Sequence, residues 1–228
     1  MATFVLIHGA WHGSWCWRDV AAALRDDGHE VFAPTLSGVA ERAHLAAHVD
    51  LSVHIDEVRG LLAFEDVRDG VLVGHSYAGL VISGVASRAP AHISRLVYLD
   101  AFVVGDGESL LDLLRPERRQ VYESSVRDGM IPSPPPEVFG ITDAEQARWA
   151  GERLTPQPLS TFTEPLSLPA EPPVPRTYVH CTVGPLVPSF SGFAERLRDA
   201  PGWTAATLAT GHDAMITRPG DLAALLAS

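Results

Sequence analysis

Apolar residues recur along the chain in two rhythms. Short continuous runs such as Phe4-Val5-Leu6-Ile7, Val71-Leu72-Val73 and Ile93 to Leu99 have the length and β-branched content of buried strands. Glu30-Val31-Phe32-Ala33 reads as a further strand, ended by Pro34. Arg176 to Cys181 and Trp203 to Leu208 complete a set of six. The second rhythm is helical. Residues from about Trp17 to Asp27 carry the helix formers Val20-Ala21-Ala22-Ala23-Leu24-Arg25, with Gly28 as the stop. Leu51, Ile55, Val58 and Leu62 fall on one face of a helix. Ala78 to Arg88 forms another, closed by Pro90, and residues from about Gly220 to Ala227 form the last.

Strands that alternate with helices predict an α/β fold. The expected architecture is a mostly parallel sheet of about six strands, covered by helices on both faces. The rhythm breaks in the middle, where 11 of the chain's 18 prolines lie between Ile131 and Pro175. Such a density cannot continue a strand–helix alternation. The reading is a core made of residues 1–104 and 173–228, interrupted by a cap over 105–172 built of short helices and extended segments. Phe139, Trp149 and Phe162 argue against a solvated linker there, because they need partners to bury against.

Composition narrows the function. The 228 residues carry a formal net charge of −11. No basic face is expected for nucleic acid or for an anionic membrane. All 17 cationic side chains are arginine, which rules out Schiff-base or phosphate-loop lysine chemistry. The two cysteines, Cys16 and Cys181, imply no disulfide framework, so a cytoplasmic location is expected. The N-terminus lacks the pattern of a signal peptide, and no apolar run approaches a membrane span. The expected partner is a small-molecule substrate, with a homodimer admitted.

The strongest chemical signal is Gly74-His75-Ser76-Tyr77-Ala78-Gly79, which follows an apolar strand and opens a helix. That context defines a nucleophile elbow, with Ser76 exposed at its tip. The usual Gly-x-Ser-x-Gly ends here on Ala78, a mild departure. Serine needs an adjacent base. His212, in Gly211-His212-Asp213 after the last strand, is the candidate. His75 and His180 read as packing residues. His44 and His48, four apart, lack a carboxylate motif for a metal. Two backbone N–H groups must hold the oxyanion, and Tyr77 and Ala10 are expected to supply them. Trp11, His12 and Phe102 are expected to line the substrate pocket.

Three segments together resemble the plant methylesterase and hydroxynitrile lyase group of α/β-hydrolases and its bacterial relatives. They are His8-Gly9-Ala10-Trp11-His12-Gly13-Ser14-Trp15, the Ser76 elbow, and Gly211-His212-Asp213-Ala214-Met215. The resemblance implies a serine carboxylesterase acting on a small apolar or aromatic ester through an acyl-enzyme, without metal or cofactor. Cyanohydrin lyases of the group carry a lysine after the catalytic histidine and a hydroxyl residue in place of Gly9. This chain has Asp213 and no lysine, which favours the esterase. One departure stands against it. The group's triad aspartate falls by pattern on Gly184. Two readings stay open. Asp100, at the end of the preceding strand, takes the role, as in some other α/β-hydrolases. Or the chain has drifted from hydrolysis toward a lyase, a cyclase or a ligand-binding pseudo-hydrolase.

Overall fold

The computed structural model describes residues 1–168 and 172–228. Its strands are β1 (Thr3–Ile7), β2 (Glu30–Phe32), β3 (Gly70–His75), β4 (Ile93–Leu99), β5 (Met130–Ile131), β6 (Gln157–Pro158), β7 (Arg176–Cys181) and β8 (Trp203–Leu208). The helices of the core are α1 (Arg18–Asp26), α2 (Leu51–Phe64) and α3 (Ala78–Arg88). Those of the cap region are α4 (Leu110–Leu113), α5 (Pro116–Ser125), α6 (Ala144–Gly151) and α7 (Ser160–Thr163). The core closes with α8 (Val187–Leu197), α9 (Ala214–Thr217) and α10 (Pro219–Ala227).

Six strands form one parallel sheet in the order β2-β1-β3-β4-β7-β8. Strand residues alternate between its two faces. Val5, Ile7, Leu72, Leu96, Tyr98 and Tyr178 join the core under α2, α3 and α8. Phe4, Leu6, Val71, Val73, Val97, Leu99 and Val179 join the core under α1 and α10. Both faces are buried, which is why these strands read as continuous apolar runs rather than alternating ones. A single Asp50 carboxylate fixes the start of α2 by accepting from the Val53 N–H.

The strand order reverses beside β1. The chain runs from β1 outward to β2, then returns to place β3 on the other side of β1. Loops leaving β1 and β3 therefore diverge, and a crevice opens at their carboxyl ends. The segment 105–168 contributes Leu110, Tyr122, Phe139 and Phe162 to the wall of the cavity there. Its two short strands, β5 and β6, pair antiparallel. Phe139 and Phe162 are buried, while Trp149 is half-buried against Trp15, ring centres 5.2 Å apart. No helix among the described residues is long and apolar enough to cross a membrane.

Candidate active site

Ser76 sits one residue beyond the last rung of β3, where His75 pairs with Leu99 of β4. Its φ is 54°, in the left-handed region that side chains rarely adopt. Three backbone hydrogen bonds hold the turn. Ser76 N–H donates to Leu99 O, and its carbonyl accepts from Gly79 and Phe102 N–H. The sequence permits this because α3 approaches the loop after β4 without a side chain between them. A Cβ on Gly79 would lie 2.1 Å from the Phe102 carbonyl oxygen. Gly79→Ala is expected to cost about 1–3 kcal/mol by forcing the two segments apart. A urea denaturation curve will show it, and an unchanged midpoint would mean that the elbow tolerates the shift.

Asp100 occupies the corresponding place one residue beyond β4, with φ 42° and 1% exposure. Its N–H donates to Val179 O across to β7. The carboxylate is fully engaged. One oxygen accepts from His212 Nδ1 at 2.7 Å; the other accepts from His180 Nδ1 at 2.9 Å and Cys181 N–H at 3.1 Å. Burial alone would raise its pKa, but the hydrogen bonds from His180 and His212 outweigh that and hold it below the usual range. Gly184, where the resemblance put the acid, has φ 104°. An aspartate there would be strained.

His212 lies on the loop after β8 and is buried. Phe190 of α8 stacks on its ring at 4.8 Å. The His75 ring donates from Nε2 to the His212 carbonyl, so His75 braces the loop from below rather than merely packing. The next residue, Asp213, turns away from Asp100 and binds His12.

The loop after β1 is built from a second set of polar contacts. His8 accepts from Leu36 N–H on Nε2, so its Nδ1–H donates to the Gly9 carbonyl at 2.8 Å. This pins the Gly9–Ala10 peptide and the direction of the Ala10 N–H. A Cβ on Gly9 would come 2.8 Å from His75 Nδ1 and 3.0 Å from Ser76 Cβ, which is why no hydroxyl residue stands here. Trp11 has φ 67°. Gln157 of β6 accepts from its N–H at 3.0 Å, and its indole donates to the Ile131 carbonyl. Among the described residues, Trp11, Ser76 and Asp100 are three of seven non-glycine residues with positive φ. Such strain, about 1–3 kcal/mol per residue, tends to concentrate at working sites.

His12 was expected on the pocket wall. It is instead buried, and it is absent from the residues that line the cavity. Both its ring nitrogens face acceptors: Nδ1 the Ala10 carbonyl at 2.7 Å, Nε2 the Asp213 carboxylate at 3.0 Å. The ring therefore donates twice and is an imidazolium. Burial opposes that charge, but Asp213 and Ala10 override it and raise its pKa. The two acceptors sit 2 and 201 residues away along the chain. The pair ties the β1 loop to the loop of His212.

Protonation of three further buried histidines, His8, His54 and His75, sets an acid limit. Burial depresses His8 to about 3 and lowers His54 and His75 as well. On unfolding, each takes a proton below its ordinary value of about 6.5. The unfolded state then binds more protons, so stability falls as pH drops below about 6.5. The limiting slope is about 1.4 kcal/mol per pH unit for each histidine. His12 works at the other end. Its contribution is full below about 6.5 and is lost as pH rises through its raised value. Urea midpoints are expected to decline between pH 7 and pH 5; equal midpoints would contradict the neutral assignment.

Ser76, Tyr77, Ala10, Trp11, Phe102 and His212 all line one cavity. Its wall is mainly aromatic and aliphatic. Four of the five residues expected at the site from the β1 loop and elbow meet there, together with Phe102 and His212, and His12 is the exception. Asp100 lies behind His212 rather than in the cavity. His44 and His48 fall on an exposed 3-10 segment, Ala40–His48, away from it. His75, His212 and Asp213 bring ligand-type atoms within 4.8 Å of one another. Two of their ring nitrogens already serve the His212 carbonyl and Asp100.

A six-stranded parallel sheet, a serine on a strained strand–helix turn and a histidine loop above it define the α/β-hydrolase class. The chain belongs to the α/β-hydrolase family, whose profile matches residues 4–225. It is 42% identical to a carbendazim hydrolyzing esterase of Nocardioides sp. (strain SG-4G), over all of this chain and 99% of that one. It is thus an esterase-type hydrolase. Methylesterase 10 of Arabidopsis thaliana is 35% identical over 44% of this chain and 37% of its own length. A solved extracellular α/β-hydrolase from Paenibacillus, described as sharing structural and functional homology with tobacco salicylic acid binding protein 2, superposes with a TM-score of 0.85. It is 27% identical, covering 99% of this chain and 98% of that one.

Proposed function

We propose that this chain is a serine carboxylesterase for small apolar or aromatic esters, working through an acyl-enzyme on Ser76. The observation that carries the reading is the 2.7 Å hydrogen bond from His212 Nδ1 to Asp100. It commits the proton to Nδ1 and leaves Nε2 as the basic nitrogen on the cavity side. His212 takes the Ser76 hydroxyl proton as Ser76 attacks the ester carbonyl. The N–H groups of Ala10 and Tyr77 hold the oxyanion, the first aligned by the His8 bond to the Gly9 carbonyl. His212 then protonates the leaving alcohol, and water releases the acid in a second cycle. Asp100 stays ionised throughout and orients the imidazolium. Its engagement with His212 favours hydrolysis over drift to a lyase or a pseudo-hydrolase.

The aromatic wall formed by Trp11, Phe102, Tyr122, Phe139, Phe162 and Phe190 supports a flat, apolar acyl or alcohol group. Since the full-length relative is named for hydrolysing carbendazim, that compound and 4-nitrophenyl esters are the first substrates to assay. A 4-nitrophenol burst with an amplitude of one per active chain is the expected result, because acylation precedes a slower release. Turnover of none of these esters by folded protein would remove the reading.

A further inference from the structure

One residue of the cavity wall does not fit an apolar substrate. Arg118, on α5, is among the described residues the only permanently charged side chain that lines the cavity. It is half-buried, and its guanidinium carbon stands 5.7 Å over the Tyr122 ring, another wall residue. That stack fixes the plane of the guanidinium while leaving its N–H edge open. Among the described residues, no carboxylate lies within ion-pair distance of it, although its neighbour Arg119 is paired with Asp112 and Glu123. Arg118 also borders an outer depression with Arg115 and Glu117, so its head stands where the cavity meets solvent. On a chain of net charge −11, an arginine without an ion-pair partner that lines a mainly apolar wall calls for an anionic partner.

We propose that Arg118 forms an anion subsite at the mouth of the cavity, and that the preferred esters carry a carboxylate or a comparable planar anionic group at the end remote from the reacting carbonyl. This rests on the esterase reading and narrows its substrate class. The ester end is held at Ser76 beneath the aromatic wall. The far end reaches the mouth, where the guanidinium fork binds both carboxylate oxygens. Arg118 selects and orients the substrate but takes no part in proton transfer. The low dielectric of the wall strengthens the contact, and the opening to solvent spares the carboxylate full desolvation.

The test compares monoethyl adipate with ethyl hexanoate, which match in chain length and differ in the terminal charge. kcat/KM is measured for both in wild type and in Arg118→Gln, which keeps a polar side chain and removes the charge. The expected result is that the preference for monoethyl adipate over ethyl hexanoate falls by about 10- to 100-fold, the range for one charge-assisted contact. The change is expected mainly in KM, and wild-type preference is expected to weaken as salt is raised. Arg118→Lys is expected to retain part of it, having the charge without the fork. A preference ratio that Arg118→Gln leaves unaltered, or a wild type that ignores the terminal carboxylate, overturns the subsite. Labelling of Ser76 by a fluorophosphonate is followed in the same samples. Absence of both labelling and turnover would strike the esterase reading itself, whereas labelling with an unaltered ratio strikes only Arg118.

Discussion

Ser76→Ala is expected to lower kcat by on the order of 10^6-fold, the scale seen when the serine of a triad is removed. The fold should survive. Alanine can take the φ of 54° about as well as serine does, and the three bonds that hold the turn are all made by backbone atoms. The residual rate would come from the aligned N–H groups and the cavity alone. Steady-state ester hydrolysis, with a urea curve to confirm folding, measures it. A variant that keeps more than about one-hundredth of the wild-type rate would place the nucleophile elsewhere, because background catalysis of that size exceeds what binding and an oxyanion site supply.

Asp100→Asn is the second large effect, and its direction follows from hydrogen-bond accounting. The present carboxylate accepts three bonds, from His212, His180 and Cys181 N–H. An asparagine has one accepting oxygen and one donating nitrogen. If its oxygen keeps His180 and Cys181, its NH2 faces His212 Nδ1. That nitrogen must then accept, and the proton moves to Nε2, the atom that should receive the proton of Ser76. The ring is in the wrong tautomer, and kcat is expected to fall by about 10^4-fold. Asparagine is at ease with positive φ, so the backbone at 42° is not a competing explanation. Activity regained at high pH, where hydroxide substitutes for the general base, would fit the tautomer account. A fall of less than tenfold would assign Asp100 to binding the β7 backbone alone.

Much of this arrangement was legible in the chain itself, because its signals are local. The runs from Ile93 to Leu99 and from Arg176 to Cys181, and the helix from Ala78 to Arg88, were read with the boundaries they have in the structure. Buried parallel strands leave unbroken apolar runs, and a serine between Gly74 and Ala78 after such a run leaves a turn with one plausible use. The position of Asp100 at a strand end was also visible, and its pairing with His212, 112 residues away, is one of the two readings the sequence leaves open.

What escaped the reading are contacts with no sequence period. Gln157 reaches Trp11 from 146 residues away, and nothing in Pro156-Gln157-Pro158 announces a buried amide. His12 is expected on the pocket wall, but two acceptors, one on the far loop, draw its ring inward instead. Asp213, next to His212 in the sequence, is bound to His12 on the β1 loop. His180, taken for packing, shares the carboxylate of Asp100 with His212. Arg118 sat in a run of arginines on a mostly exposed helix, so no pattern separated it from Arg119 until the cavity was seen. In each case the signal is three-dimensional, and only a hydrogen-bond donor or charge lacking a local partner could have hinted at it.

The central claim is that Ser76 is activated by a histidine that Asp100 holds in place. Intact mass after exposure to a fluorophosphonate tests it most directly, with Ser76→Ala and Asp100→Asn alongside wild type. The account predicts one phosphonyl adduct on wild type, none on Ser76→Ala, and an adduct on Asp100→Asn that forms far more slowly. A folded wild type that takes no adduct, or an adduct that persists in Ser76→Ala, would contradict it.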